Sequence, residues 1–175
     1  MINSRNVFLI GPMGSGKTAV GRQLSRELNM EFLDIDEEIQ KRTGVDIRFI
    51  FEKEGENRFR EREKALIIEL TQLNNIVLAT GGGSILDTQN REHLSAHGIV
   101  VYLKTSVKQQ LYRTRNTNSR PLLMNDNPEN VLAKLMKTRG PLYEKIANIS
   151  VNTGGKKVKT VVGHIKTSLQ EKNLI

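Results

Sequence analysis

Cysteine and tryptophan are missing altogether from this 175-residue chain, proline occurs only four times, and aromatic side chains make up 5% of it. Without cysteine there are neither disulfides nor thiolate metal sites, so the fold rests on packing alone, and a cytoplasmic location is expected. Sparse aromatics leave out the row of stacking rings on which single-strand nucleic-acid binders lay successive bases. Long apolar runs are missing too. Nothing approaches the roughly 18 residues that a bilayer-spanning helix needs, so no membrane anchor is expected. The opening stretch MINSRNVFLIG passes within a few residues into a first core strand, and no charged leader with an apolar stretch and cleavage site is expected there.

What is present fits one soluble domain. Hydrophobic residues are 37% and charged residues 26%, and a chain of this length builds one well-formed core more readily than two. The formal net charge is +8, from 27 basic against 19 acidic residues, which favours an anionic partner such as a nucleotide or an acidic metabolite. The basic residues are scattered, and their densest cluster, GGKKVKT at 154–160, is short. Nucleic acid is therefore not the expected partner.

Short runs rich in Val, Ile and Leu alternate with longer amphipathic ones. Strands are expected at 7–10, 31–34, 76–80, 99–103 and 149–152, each flanked by helical sequence. That alternation predicts an α/β fold with a mostly parallel sheet covered on both faces, and continuous apolar strands such as IVLAT and IVVYL suit burial on both sides. Two stretches interrupt it. About forty residues from Ile35 to Asn75 are too many for one crossover helix and read as an inserted helical layer, while 113–130, crowded with Asn, Thr, Ser and Pro, reads as a long polar loop.

The stretch GPMGSGKT supplies the fixed positions of G-x-x-x-x-G-K-[ST] at Gly11, Gly16, Lys17 and Thr18, with Gly14 as an additional glycine. A strand precedes the loop and helical periodicity follows it, which is the setting a phosphate cradle requires. Glycines let backbone N–H groups approach phosphate oxygens, Lys17 reaches the outer phosphates, and Thr18 offers a hydroxyl to Mg²⁺. This motif identifies a phosphate donor and says nothing of the acceptor.

Acceptor candidates lie elsewhere, each with an ordinary alternative. EFLDIDEEI places Asp34 and Asp36 at the end of the second strand, where residues two apart face the same side; the pair also reads as a solvated strand end or a helix N-cap. Arg60 precedes Glu63 by three residues in FRERE, a spacing equally suited to a surface ion pair. Gly81, Gly82 and Gly83 follow the third strand, at the end of a parallel sheet where ligands bind, or form a merely flexible turn. Arg120 sits in SRPLL within the polar loop, and Arg139 falls at or near a helix end before Gly140 and Pro141; either could be a solvated surface arginine. His93, His97 and His164 form no catalytic arrangement.

Taken in order, GPMGSGKT, FLDIDEEI, FRERE, TGGGSI, SRPLL and RGPLYEKIA, spread from residue 11 to 147, resemble the shikimate kinase family. The resemblance implies a three-layer αβα P-loop kinase fold with a central five-stranded parallel sheet. It also implies a substrate-binding insertion from about residue 35 to 62 and a mobile lid from about 113 to 127. ATP with one Mg²⁺ would be the donor system, and shikimate the acceptor, phosphorylated on its 3-hydroxyl on the route to chorismate and the aromatic amino acids. Carried over by motif, Gly14, Ser15, Gly16, Lys17, Thr18 and Ala19 hold the ATP phosphates. Thr18 ligates Mg²⁺, and Asp34 supports the metal. That role weighs more because IVLATGGG ends without the Asp that many P-loop enzymes carry after the third strand. Asp36 binds shikimate hydroxyls, Arg60 and Arg139 its carboxylate, and Gly81 to Gly83 make further polar contacts. Arg120 is the lid arginine. The sequence departs from the family around the adenine, where Arg113 is expected to stack on the base and Lys156 to lie beside the nucleotide. A monomer acting on small molecules is expected. The rivals on the same fold are a gluconate-type or nucleoside monophosphate kinase, and from another class a nucleic-acid-binding P-loop ATPase.

Overall fold

The structure is a computed structural model that describes residues 6–115 and 127–175. Its centre is a five-stranded, wholly parallel sheet of β1 (Val7–Ile10), β2 (Glu31–Asp34), β3 (Ile76–Ala79), β4 (Ile99–Lys104) and β5 (Ile149–Asn152), in the order β2-β3-β1-β4-β5. The expected strands are met to within one residue. Thr80 leaves the third strand, although its N–H and hydroxyl both donate to the Leu9 carbonyl, at 3.1 and 3.0 Å.

Residues along each strand alternate between two cores, as the pleat requires. Val7, Leu9, Val101 and Leu103 face α1 (Lys17–Leu28) and α8 (Val158–Glu171), meeting Val20, Leu24, Val162 and Ile165. Phe8, Ile10, Val100 and Tyr102 face the opposite layer, built from α2 (Ile35–Thr43), α3 (Ile47–Lys53), α4 (Gly55–Leu70), α5 (Thr88–His97) and the long α7 (Pro128–Ile146). Each fully buried Leu or Ile here stabilises the fold by roughly 1.5–3 kcal/mol. Side chains set the helix starts: Asp34, Asp46, Asp87 and Asn127 cap α2, α3, α5 and α7, and Ser106 caps α6 (Val107–Thr114). Among the described residues, no helix is long and apolar enough to cross a membrane.

The stretch from Ile35 to Leu70 forms three helices, within the helical layer expected between the second and third strands. The polar loop expected over 113–130 is shorter than its composition suggests. Arg113 and Thr114 complete α6, and Pro128 opens α7, at a position where the missing proline N–H has no intrahelical partner to lose. Residues 116–126, including Arg120, lie outside the described residues.

A second correction concerns Arg139, which lies inside α7 rather than at its end. The helix continues through Gly140 and Pro141 to Ile146. Tertiary contacts outweigh the hydrogen bond lost at Pro141. Tyr143 is fully buried, stacks on Tyr102 with ring centroids 5.0 Å apart, and donates its hydroxyl to the Gly82 carbonyl at 2.5 Å.

Candidate active site

The phosphate cradle joins β1 to α1. Gly16 stands at the α1 N-cap with φ +91°, a conformation that favours glycine, so the loop can turn its N–H groups inward at the helix start. Lys17 is nearly buried, and its Nζ donates to the carbonyls of Gly11 at 2.7 Å and Pro12 at 2.9 Å. The ammonium is thus held at the mouth of the loop. Ser15 is fully buried, whereas Thr18 and Ala19 are exposed. A cleft of about 280 Å³ opens over the loop, lined among others by Gly14, Lys17, Thr18, Asp34, Asp36, Gly81, Gly82 and Arg113.

Asp34 serves three partners with its two oxygens. Oδ1 accepts from the backbone N–H of Asp36 at 2.9 Å and Glu37 at 3.2 Å, capping α2, while Oδ2 accepts from the Thr18 hydroxyl at 2.7 Å. The cap and the site role therefore coexist on one side chain. Asp36 is not in the strand, as strand alternation had suggested; it lies in the first turn of α2, and the sharp turn after β2 is what brings it to the cleft.

Arg60 and Glu63 do form an ion pair, Nη1 to Oε1 at 2.8 Å, but the Glu63 side chain is only 1% exposed, so this is no surface pair. Glu63 Oε2 accepts in turn from Ser84 Oγ at 2.7 Å. Burial alone would pull the Arg60 guanidinium down, but Glu63, with Glu56 beside it, holds it above its ordinary value. Arg139 is also buried, and that burial lowers it, with Tyr143 opposing the shift and the like charge of Arg60 adding to it. Burial pushes the Tyr143 phenol well up, so it stays a hydrogen-bond donor at neutral pH.

The glycine triplet is the meeting point. A Cβ built on Gly81 would sit 2.5 Å from Glu63 Oε2 and 3.6 Å from Asp36 Oδ1. One on Gly82 would sit 3.3 Å from the Met13 nitrogen, 3.6 Å from the Gly11 carbonyl oxygen and 3.6 Å from Arg139 Nη1. One on Gly83 would fall inside the Arg60 guanidinium. Asp36, Arg60 and Arg139, from three different helices, therefore surround one turn that touches the phosphate loop. The turn is fixed rather than loose: its carbonyls accept from Ser84 N–H, Leu86 N–H and Tyr143 OH.

Arg113 lies against the cradle, with Nη1 donating to the Gly14 carbonyl at 2.8 Å and Nη2 to the Thr153 carbonyl at 3.1 Å. It ties the loop to the segment after β5, where exposed Lys156 stands. The sequence offered Glu63 as an ion-pair partner of Arg60 but not its burial, and gave no reading of Ser84 or Tyr143, of which only Tyr143 carried a usable signal, one helical turn after Arg139.

Fold and cradle together define a P-loop phosphotransferase, with the Arg60 and Arg139 guanidinium groups gathered at the glycine turn beside the phosphate loop. The sequence model of the shikimate kinase family matches residues 13–170. The shikimate kinase of Vibrio cholerae is 51% identical over 171 residues, covering 98% of each chain. A structure titled as shikimate kinase from Acinetobacter baumannii in complex with shikimate has a TM-score of 0.95 to this one at 46% identity, covering 99% of this chain and 97% of that chain. A gluconokinase from Sinorhizobium meliloti, at 18% identity and TM-score 0.61, shares the fold alone. The chain belongs to the shikimate kinase family and is an enzyme, a kinase that uses ATP.

Proposed function

We propose that this chain transfers the γ-phosphoryl group of ATP to the 3-hydroxyl of shikimate, giving shikimate 3-phosphate and ADP, as a monomer in the cytoplasm and without nucleic acid. The observation that carries this is the convergence of Arg60, Arg139 and Asp36 on the Gly81–Gly83 turn, which in turn packs on Gly11 and Met13 of the phosphate loop. Shikimate carries one carboxylate and three hydroxyls on a small ring. Two guanidinium groups suit the carboxylate, because each offers paired N–H donors, and Asp36 with the glycine backbone suits the hydroxyls.

Phosphoryl transfer runs through a loose, charge-spread transition state, so positioning and electrostatics dominate. Lys17 stabilises charge on the outer phosphates, and Arg113 braces the loop from the far side. Asp36 orients the attacking hydroxyl. Arg120, outside the described residues, is assigned to the lid over the phosphates.

Thr18 Oγ1 and Asp34 Oδ2 supply hard oxygen atoms in one cleft, 2.7 Å apart. Among the described residues no group of three His, Cys, Asp or Glu could cage a metal unaided. That fits Mg²⁺, which keeps several waters and takes phosphate oxygens in place of a full protein cage. Thr18 would ligate it directly and Asp34 would support it; when bound it neutralises charge on the β- and γ-phosphates.

The test is an ADP-release assay with shikimate, gluconate and nucleoside monophosphates as acceptors. Shikimate-dependent release well above the background of ATP hydrolysis is expected. A preference for another acceptor, or equal release with none, refutes the assignment.

A further inference from the structure

Arg60 is gripped from both directions along its own helix. Glu63, three residues on, takes Nη1 at 2.8 Å. Glu56, four residues back, spans the other edge, where its Oε1 accepts from Nε at 3.4 Å and from Nη2 at 3.2 Å. The two carboxylates are committed to very different degrees. Glu63 is buried and also bonded to Ser84, whereas the Glu56 side chain is 46% exposed and makes contacts longer than the 2.7–2.9 Å usual for charge-assisted bonds.

A guanidinium takes a carboxylate in two-pronged fashion through its Nη1/Nη2 edge or its Nε/Nη2 edge. Nη1 is turned inward on Glu63, and Gly83 packs against the group near Nη1, Nη2 and Cζ. The edge left for a two-pronged contact is Nε/Nη2, and that is the edge Glu56 spans. The charge of Glu56 also reaches Arg139, where it partly offsets the lowering caused by burial and by Arg60.

On the acceptor assignment given above, we propose that Glu56 sets the affinity and selectivity of the clamp by competing with the acceptor's carboxylate for the Nε/Nη2 edge of Arg60. A simple carboxylate must displace Glu56 with nothing else to gain. An acceptor whose hydroxyls also meet Asp36 and the glycine turn displaces it with the help of those bonds. The clamp thereby discriminates against small organic anions that match only its charge.

The experiment is calorimetric titration of wild type, E56Q and E56A with shikimate, its neutral methyl ester, benzoate and ATP. Both variants should bind shikimate about two- to fivefold more tightly, the range that loss of an exposed ion pair allows, and benzoate should gain by at least the same factor. The methyl ester and ATP should move less than about twofold, since neither uses the contested charge. Unchanged or weaker shikimate binding overturns the proposal and makes Glu56 an orienting partner of Arg60. Equal tightening of the methyl ester overturns it as well. The underlying assignment fails separately: wild type that neither binds nor phosphorylates shikimate refutes the acceptor, whereas wild type that does both alongside variants that do not tighten refutes only the role of Glu56.

Discussion

Replacing Gly83 with alanine should displace the Arg60 guanidinium from the acceptor clamp proposed above. Gly83 has φ −94° and ψ −2°, an ordinary right-handed conformation, so alanine meets no backbone strain there. Its Cβ would instead lie 2.6 Å from Arg60 Cζ and 2.7 Å from Nη1, with Nη2 nearer still. Ordinary contact begins at about 3.5 Å, so the guanidinium must withdraw by roughly 1 Å. It sits at the end of a flexible side chain, and the structural cost is confined to a strained pair with Glu63. A cost of about 1 kcal/mol corresponds to a Tm shift of roughly 2–4 °C in a chain of this size. Binding suffers more, because hydrogen bonds to charged groups contribute about 1.5–3 kcal/mol, which is roughly 10- to 150-fold in Kd. Calorimetry on the G83A variant should show shikimate binding weakened within that range, ATP binding within twofold of wild type, and Tm nearly unchanged. Near-normal shikimate affinity would remove Arg60 from the clamp, and a Tm collapse beyond about 10 °C would make the turn a structural element first.

Three further outcomes are expected. K17A should lower kcat by at least about 100-fold, since no other side chain of the loop brings a cation to the phosphates; near-normal turnover refutes its role. N6A removes three bonds made by a buried side chain, to the Leu73 and His97 carbonyls at 2.6 and 3.3 Å and from Ile76 N–H at 3.2 Å, which pin the inner ends of β1 and β3. A loss of about 2–4 kcal/mol should depress Tm by roughly 5–15 °C, and a change under 2 °C would contradict that pinning. Asp87 caps α5 and pairs with Lys64 at 3.1 Å; burial tends to raise its carboxyl, but Asn90 N–H and Lys64 outweigh this and hold it below its ordinary value. Its stabilising contribution is therefore full above about pH 4 and lost as pH falls through the lowered folded value. The Tm gap between wild type and D87N should accordingly close on acidification, and a gap constant from pH 7 to pH 2 refutes the linkage.

The central strands β1, β3 and β4 were legible because each is dominated by an apolar run, a signal carried by neighbouring residues alone, whereas β2 (EFLD) and β5 (ISVN), at the sheet edges, mix polar and apolar residues. Where the decisive contact comes from elsewhere in the chain, local signals point the wrong way. Pro141 reads as a helix terminator, yet α7 runs past it because Tyr143 is anchored on Tyr102 and Gly82, some forty and sixty residues away in sequence. The spacing of Arg60 and Glu63 describes a surface pair and a buried pair equally well; Ser84 and the approach of Gly81 decide between them. Asp34 and Asp36 reach one cleft through a strand-to-helix turn rather than by strand alternation. Arg113 was placed near the adenine by the family resemblance, but its bonds to Gly14 and Thr153 depend on how α6 lies against the loop.

The proximity of donor and acceptor pockets follows from strand order. β1 and β3 are far apart in sequence but paired in the sheet, with Leu9 opposite Ala79, so the phosphate loop and the glycine triplet leave the same edge at the same height. Neighbouring strands lie about 4.8 Å apart, and the two hydrogen bonds that the Thr80 N–H and hydroxyl donate to the Leu9 carbonyl hold the two exits together. Gly82 can then touch Met13 and Gly11 directly, with no side chain between. On the proposed assignment, the sheet ladder sets how donor and acceptor face each other. The side chains proposed above to recognise the acceptor, Asp36, Arg60 and Arg139, come from α2, α4 and α7 and gather at the glycine turn. A gluconokinase shares this fold at 18% identity, so the fold by itself does not choose the acceptor, which has to be argued from the side chains at the site.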